Sequence, residues 1–155
     1  GAKRGVGGHG PDEAVLVPQI ESSPACMYLG TVPYDEVLRQ TASCQIVAAL
    51  YDPAVPNNRL AAPNKVFEAM MLAKPVLVSD GIAIAELVRA LGCGKIVPYG
   101  NRAAIQKALE DLLLSPSECE ILGARGRAAF ERGYNWGTMA TRLLEAYGSL
   151  GIQNR

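Results

Sequence analysis

Short apolar runs rich in β-branched residues alternate along this chain with stretches of helical period, and that alternation restricts the fold more than any other feature. The runs are Cys26–Leu29, Gln45–Leu50, Pro75–Ser79 and Lys95–Val97. They read as continuous rather than alternating, the pattern of strands covered on both faces. Elsewhere Ile105, Ala108, Leu109 and Leu112 recur at the i, i+3, i+4, i+7 interval. Trp136, Ala140, Leu143, Leu144 and Tyr147 do so with one further turn. Ser115-Pro116 opens another helix with Glu118 in its first turn, and Gly133 is expected to stop it. The expected class is α/β: a Rossmann-like parallel sheet with helices on both faces, residues 1–155 forming one domain long enough to bury a core.

The opening resists assignment. Gly1–Gly10 hold five glycines, and Asp12–Ser22 fits either a helix interrupted at Pro18 or a short strand at Ala14–Val17.

Acidic and basic residues balance at 15 each, so neither nucleic acid nor an anionic lipid surface is the expected partner. Arg125, Arg127 and Arg132 share their segment with Glu118, Glu120 and Glu131, which reads as a solvated helix face. The cysteines, Cys26, Cys44, Cys93 and Cys119, form no CxxC pair, and His9 is the only histidine, so no metal site is expected. Three of the four sit in or beside apolar runs, where a free thiol acts as a small hydrophobe. A reduced, cytoplasmic setting is expected. No apolar stretch approaches a membrane span, and no signal-peptide pattern opens the chain.

In an open parallel sheet, ligands bind beyond the carboxyl ends of the strands. The candidate loops are therefore Gly30–Pro33, Tyr51–Asn64, Asp80–Ile82 and Pro98–Asn101. Tyr51–Ala62 is long for such a connection, which points to function. Pro63 suits the first turn of a helix running to about Ala73, whose leading amides form a ready anion site. Lys65 in that turn opposes the helix dipole at a cost of a few tenths of a kcal/mol or more, a term that a bound diphosphate would reverse. Glu68 follows one turn later, where a carboxylate can accept two vicinal hydroxyls such as those of a ribose. Position alone weighs this grip evenly against an exposed i, i+3 ion pair worth roughly half a kcal/mol.

Pro63-Asn64-Lys65-Val66-Phe67-Glu68-Ala69-Met70, followed by Ala73-Lys74-Pro75-Val76-Leu77-Val78-Ser79-Asp80, resembles the signature of family-4-type glycosyltransferases with the GT-B fold. His9-Gly10-Pro11-Asp12-Glu13 is similar to the loop after an early strand of that family's donor domain. Tyr28-Leu29-Gly30-Thr31-Val32-Pro33-Tyr34 is similar to the strand and loop that hold the nucleobase. Ala85-Glu86-Leu87-Val88 and Gly94–Asn101 resemble the next helix, strand and turn, and Tyr134-Asn135-Trp136 the start of the closing helix.

The resemblance implies one half of a GT-B fold, the C-terminal donor-binding domain, without its N-terminal acceptor domain and inactive alone. It implies a UDP- or GDP-sugar as substrate, a saccharide or lipid-linked acceptor, retention of configuration, and no metal or other cofactor. Glu68 then binds the ribose, the amides of Asn64 and Lys65 meet the diphosphate, and main-chain groups at Gly30, Val32 and Pro33 frame the base. The whole enzyme would work in the cytoplasm or at the inner membrane surface.

The chain departs from the family where an acidic residue should stand eight positions before Glu68, because Leu60 is there. Asn57, Asn58 or Arg59 are the alternatives for sugar contacts. The family's first donor-domain strand, with its phosphate-holding arginine and lysine, finds no counterpart either. A nucleotide-sugar epimerase of the same fold, or a non-catalytic nucleotide-binding or partner-docking domain, are the rival readings. His9 reads as a surface residue, Met70 and Met71 as core fillers, Glu86 as a dipole-complementing side chain and Trp136 as an anchor of the last helix. That helix, from about Trp136 to Ser149, is expected to keep part of its apolar face uncovered. Mass measurement without reductant should show four unmodified, unbridged thiols; an intramolecular disulfide would overturn the expected compartment.

Overall fold

A computed structural model describes residues 4–150. The chain forms two compact units, one through Gln40 and one from Thr41.

The first unit holds β1 (Arg4–Gly7), α1 (Glu13–Glu21), β2 (Cys26–Gly30) and the start of α2 (Tyr34–Ser43). β1 pairs with β2 in parallel, Val6 opposite Tyr28, with an irregularity before Gly7. Within the glycine-rich opening Arg4–Gly7 is thus a strand, its Gly5 and Gly7 lying against the Leu29 side chain, while Gly1–Lys3 fall outside the described residues. α1 runs through Pro18, which resolves the ambiguity of Asp12–Ser22 in favour of the helix. α1 packs on β2, yet none of its residues is fully buried.

The second unit is built on β3 (Val47–Ala49), β4 (Val76–Ser79) and β5 (Gly94–Val97), a parallel sheet in that order. The α/β class and the parallel pairing hold, but the strands form two sheets rather than one run of hydrogen bonds. Among the described residues only β4 is buried along its whole length, because it alone has a paired strand on each side. In β3 Ala48 is exposed, and in β2 Met27 is 54% exposed, so the continuous apolar runs overstate how fully those strands are covered.

Between β3 and β4 come α3 (Pro56–Leu60) and α4 (Asn64–Met71). The long connection after Tyr51 therefore contains a short helix, opened by Pro56 at its first turn. α5 (Ala83–Leu91) joins β4 to β5, then come α6 (Arg102–Leu114) and α7 (Pro116–Ala129). Gly133 does not end α7 as expected: the helix passes into a π-turn at Phe130–Tyr134 and stops at Asn135, whose backbone is extended. α8 (Trp136–Ser149) follows.

The core gathers Val66, Ala69 and Met70 of α4, Val76 and Val78 of β4, Ile84, Ala85 and Val88 of α5, and Cys93. α7 lies against α4 because Gly123 and Gly126 leave no side chain between them. A Cβ on Gly123 would sit 2.0 Å from the Ala73 carbonyl oxygen, far inside contact distance. Leu122, Gly123, Gly126 and Ala129 are the buried face of α7, whereas Arg125 and Arg127 are exposed as expected.

α8 is uncovered. Trp136 is 76% exposed, so it does not anchor the helix, and Leu143, Leu144 and Tyr147 are exposed as expected. All four cysteines are free: Cys93 is buried, Cys26 and Cys119 half-buried, while Cys44 is exposed rather than in the core. Burial holds the Cys93 thiol above its ordinary pKa, and burial followed by Glu118 and Glu120 does the same for Cys119, so neither is an activated thiolate. Among the described residues no helix is long and apolar enough to cross a membrane.

α4 ends in a Schellman motif: Lys74 N–H donates to Ala69 O at 2.8 Å and Ala73 N–H to Met70 O at 3.1 Å. Its left-handed position is Ala73, with φ 54°, where a Cβ is strained. Ala73→Gly should therefore raise stability by about 1 kcal/mol, read from the denaturant midpoint; a loss would mean that the Ala73 methyl contributes more than the strain costs.

Candidate functional site

The site expected from the sequence falls in both units, and each part stands on its own geometry. In the second unit the chain leaves β3 at its carboxyl end, makes α3, and enters α4 there before returning along β4. This connection places the first turn of α4 at the carboxyl edge of a parallel sheet, where helix N-termini offer amides to a ligand.

Pro63 is the N-cap of α4, extended at φ −65° and ψ 127°, one position earlier than the first-turn place expected for it. It has no side-chain acceptor, so no side chain caps this end. The first closed turn is Val66 N–H to Pro63 O at 3.0 Å, which leaves Asn64 and Lys65 as the leading amides. Asn64 and Lys65 are exposed, and Glu68, a turn further on, is half-buried. The inward face of the same turn is Val66, Ala69 and Met70, all fully buried. A strongly two-sided helix thus presents one polar edge at its start.

The Lys65 ammonium lies over the Tyr51 ring, 5.5 Å from the centroid. Such a contact is worth about 0.5–1 kcal/mol at an exposed site, close to what the cation loses against the helix dipole. Periodicity offered no sign of this pair. The one available cue was an aromatic residue just past a predicted strand.

Arg59 occupies the last turn of α3, exposed, where its charge suits the helix C-terminus. Leu60, standing in place of the family's acidic residue, is 84% exposed. Asn58 is engaged in its own loop: its amide donates to Asp52 O at 3.1 Å, while Asp52 Oδ1 accepts from Ala54 N–H at 2.8 Å.

The turn after β4 closes beside this loop. Gly81 has φ 79°, and a Cβ there would lie 3.3 Å from Pro53. Asp80 Oδ1 accepts from Gly81 N–H at 2.9 Å and from Arg89 Nη2 at 3.1 Å. Arg89 also donates to Glu86, and the hydrogen bonds to Glu86 and then Asp80 hold its guanidinium above its ordinary pKa. Glu86 is therefore an ion-pair partner as well as a first-turn acid.

In the first unit, Gly30 ends β2 with φ 65°, and its carbonyl accepts from Gly8 N–H at 2.9 Å. Val32 is half-buried and Pro33 exposed, and the Pro33 carbonyl receives the first amides of α2 from Glu36 and Val37. His9 is exposed, with Nδ1 3.2 Å from Thr31 Oγ1, so the histidine belongs to the same loop edge as the Gly30–Pro33 turn. Tyr28 donates towards Glu13 Oε1 at 2.5 Å and towards Gly8 O at 2.9 Å. The hydrogen bond to Glu13 holds the Tyr28 hydroxyl above its ordinary pKa. These groups border a recess of about 250 Å³ with Leu16 and Ile20 on its apolar wall. It contains none of the donor-binding residues expected from the motif. No group of three or more His, Cys, Asp or Glu that could hold a metal occurs among the described residues.

Ser79, at the carboxyl end of β4, is fully buried, and its hydroxyl has no hydrogen-bond partner. A buried hydroxyl left unpaired costs free energy. Ser79→Ala should therefore be neutral or stabilising by up to about 1 kcal/mol in thermal unfolding; a clear loss would show that the hydroxyl makes a bond in solution.

A family model for group 1 glycosyl transferases matches residues 4–115. The chain is 35% identical over 80 residues to the phosphatidyl-myo-inositol mannosyltransferase of Mycobacterium leprae (strain TN), an overlap of 52% of this chain and 21% of that protein. Among solved structures it is similar to sucrose-phosphate synthase from Thermosynechococcus elongatus, with a TM-score of 0.74 and 20% identity over 90% of this chain and 33% of the other. It is also similar to Anabaena HepE in complex with UDP, with a TM-score of 0.78 and 16% identity over 96% of this chain and 41% of that one. At such identities the structural likeness concerns the fold alone. The chain spans well under half the length of each of these proteins.

Proposed function

This chain belongs to the group 1 glycosyl transferases, with parallel sheets and helices similar to GT-B glycosyltransferase domains, and from that premise we propose that it holds a nucleoside-diphosphate sugar for transfer to a saccharide or lipid-linked acceptor. The observation that carries the proposal is the first turn of α4: uncapped by any side chain, set at the carboxyl edge of β3 and β4, with Lys65 exposed and Glu68 one turn behind it. The amides of Asn64 and Lys65 and the Lys65 ammonium meet the diphosphate, whose charge converts an unfavourable dipole term into a favourable one. Glu68 accepts the ribose hydroxyls. Arg59 is the candidate for the sugar side, in place of the missing acidic residue.

For the first unit taken by itself, the proposal is that main-chain groups at Gly30, Val32 and Pro33 offer hydrogen-bond partners to a nucleobase. Transfer is proposed to retain configuration and to use no metal, the leaving diphosphate being stabilised by Lys65 and the helix terminus as its charge develops. A cytoplasmic site of action and an acceptor domain elsewhere in the protein belong to the same proposal. The exposure of Leu60 favours a second reading, a domain that binds a nucleotide but performs no transfer.

Calorimetric titration with UDP and GDP tests the grip, UDP being the nucleotide held by the HepE structure. Glu68→Gln should weaken binding by roughly 1–3 kcal/mol, since charge-assisted bonds to hydroxyls become neutral ones. Lys65→Ala should weaken nucleoside diphosphates more than nucleosides, while its melting temperature hardly moves, because the lost ring contact and the relieved dipole term nearly cancel. Unchanged affinity in both variants would reduce the pair to surface charges. Binding without turnover of any sugar donor by the whole protein would favour the second reading.

A further inference from the structure

α4 can act as a grip only while it is held in one rotation about its axis, and an eight-residue helix does not hold itself. Its hinder half is fastened to α7. Gly123 lies on the Ala73 carbonyl, Gly126 on Met70, and Arg127 donates to Met71 O, an open carbonyl of the last turn. None of these contacts reaches the first turn. Phe67 does, standing beside Glu68 and two positions after Lys65, and its ring stacks on Tyr134 with centroids 6.1 Å apart and planes 23° apart.

Tyr134 is the last residue of the π-turn that replaces the end of α7. A π-turn accommodates an extra residue in a helical turn and so changes the direction in which the following side chains point. This one is tied at both sides by a single residue. Asn135 Nδ2 donates to Phe130 O at 3.1 Å and Glu131 O at 3.0 Å, and Asn135 Oδ1 accepts from Thr138 N–H at 2.9 Å, capping α8. Phe67, Phe130 and Tyr134 also lie against the same buried core.

We propose that Tyr134 is a positioning residue for the nucleotide grip: its ring, presented by the π-turn that Asn135 fastens, sets the rotation of α4 through Phe67 and thereby the direction of Lys65 and Glu68. The inference rests on the reading of those two residues as the grip. It gives the π-turn a role beyond closing α7, of the kind such turns often have at functional sites.

The test is titration of the whole protein with UDP and GDP, beside melting curves. Tyr134→Leu keeps apolar volume and removes the ring; the Kd for the nucleotide that the unaltered protein binds should rise about threefold to tenfold. Tyr134→Phe, which keeps the stack, should bind as the unaltered protein does. Phe67→Leu should show the same loss, and the double variant should be no worse than either single change, because both remove one contact. A lowered melting temperature with unmoved Kd overturns the proposal and leaves the stack as packing. If Glu68→Gln and Lys65→Ala weaken binding while Tyr134→Leu does not, the grip stands and the positioning role falls. If those two variants bind normally, or neither nucleotide binds the unaltered protein, the grip fails and this inference with it. Should Tyr134→Leu not fold, Phe67→Leu against Tyr134→Phe makes the same comparison.

Discussion

The second unit depends on backbone-to-backbone contact between α4 and α7. Side chains on both helices would keep their axes apart, but Gly123 presents no Cβ to the Ala73 carbonyl, and Gly126 lets Met70 and Cys93 close against the helix. The approach buries Met70 completely and carries Arg127 to the open end of α4. α4 then lies on β3, and its C-terminal turn feeds β4, which is buried along its length. A helix of two turns is thereby converted from a marginal element into a fixed one, its stability supplied by packing rather than by propensity.

That fixed position explains how a cation can stand where the helix dipole disfavours it. Lys65 is outside the core and over the Tyr51 ring, so the protein offsets the dipole term locally without neutralising the charge. Capping by an acidic or hydroxyl side chain would stabilise the helix more, but it would also occupy the leading amides. Pro63 does neither: it fixes an extended backbone at the N-cap and brings no acceptor. α1, α3, α5 and α7 also begin without a side-chain cap, so what marks α4 is the motif cation Lys65 set against the dipole beside its open amides.

The first unit follows a different economy. Its two strands are short, β1 exposed from Gly5 to Gly7 and β2 mostly half-buried, and its order comes from polar ties around a glycine-rich turn. Tyr28 reaches the Gly8 carbonyl and Glu13, His9 reaches Thr31, and Gly8 N–H reaches the Gly30 carbonyl. These bonds join the segments that follow β1 and β2, so the Gly30–Pro33 turn is shaped by residues far from it in sequence. Such a unit suits main-chain recognition, where the backbone must be held in place but little bulk is wanted.

The sequence by itself determined the class, the parallel strands and the helix that begins at Pro63-Asn64, because apolar runs, helical period and proline placement are local signals. It also determined the family, since the Pro-Asn-Lys-x-x-Glu segment and its neighbours keep their order over most of the chain. Tertiary structure decided what depends on partners distant in sequence. Whether Arg4–Gly7 could be a strand rested on pairing with β2, and whether Asp12–Ser22 was helical rested on packing against that same strand. Gly133 looked like a helix stop, but Tyr134 had a ring waiting on α4 and Asn135 had carbonyls to hold, so the chain ran on as a π-turn. Trp136 carried the period of a buried helix, yet no element covers it among the described residues. The Tyr51 ring under Lys65 and the unpaired Ser79 hydroxyl were equally illegible, because periodicity records which face of an element is apolar, not what the opposing element brings to it.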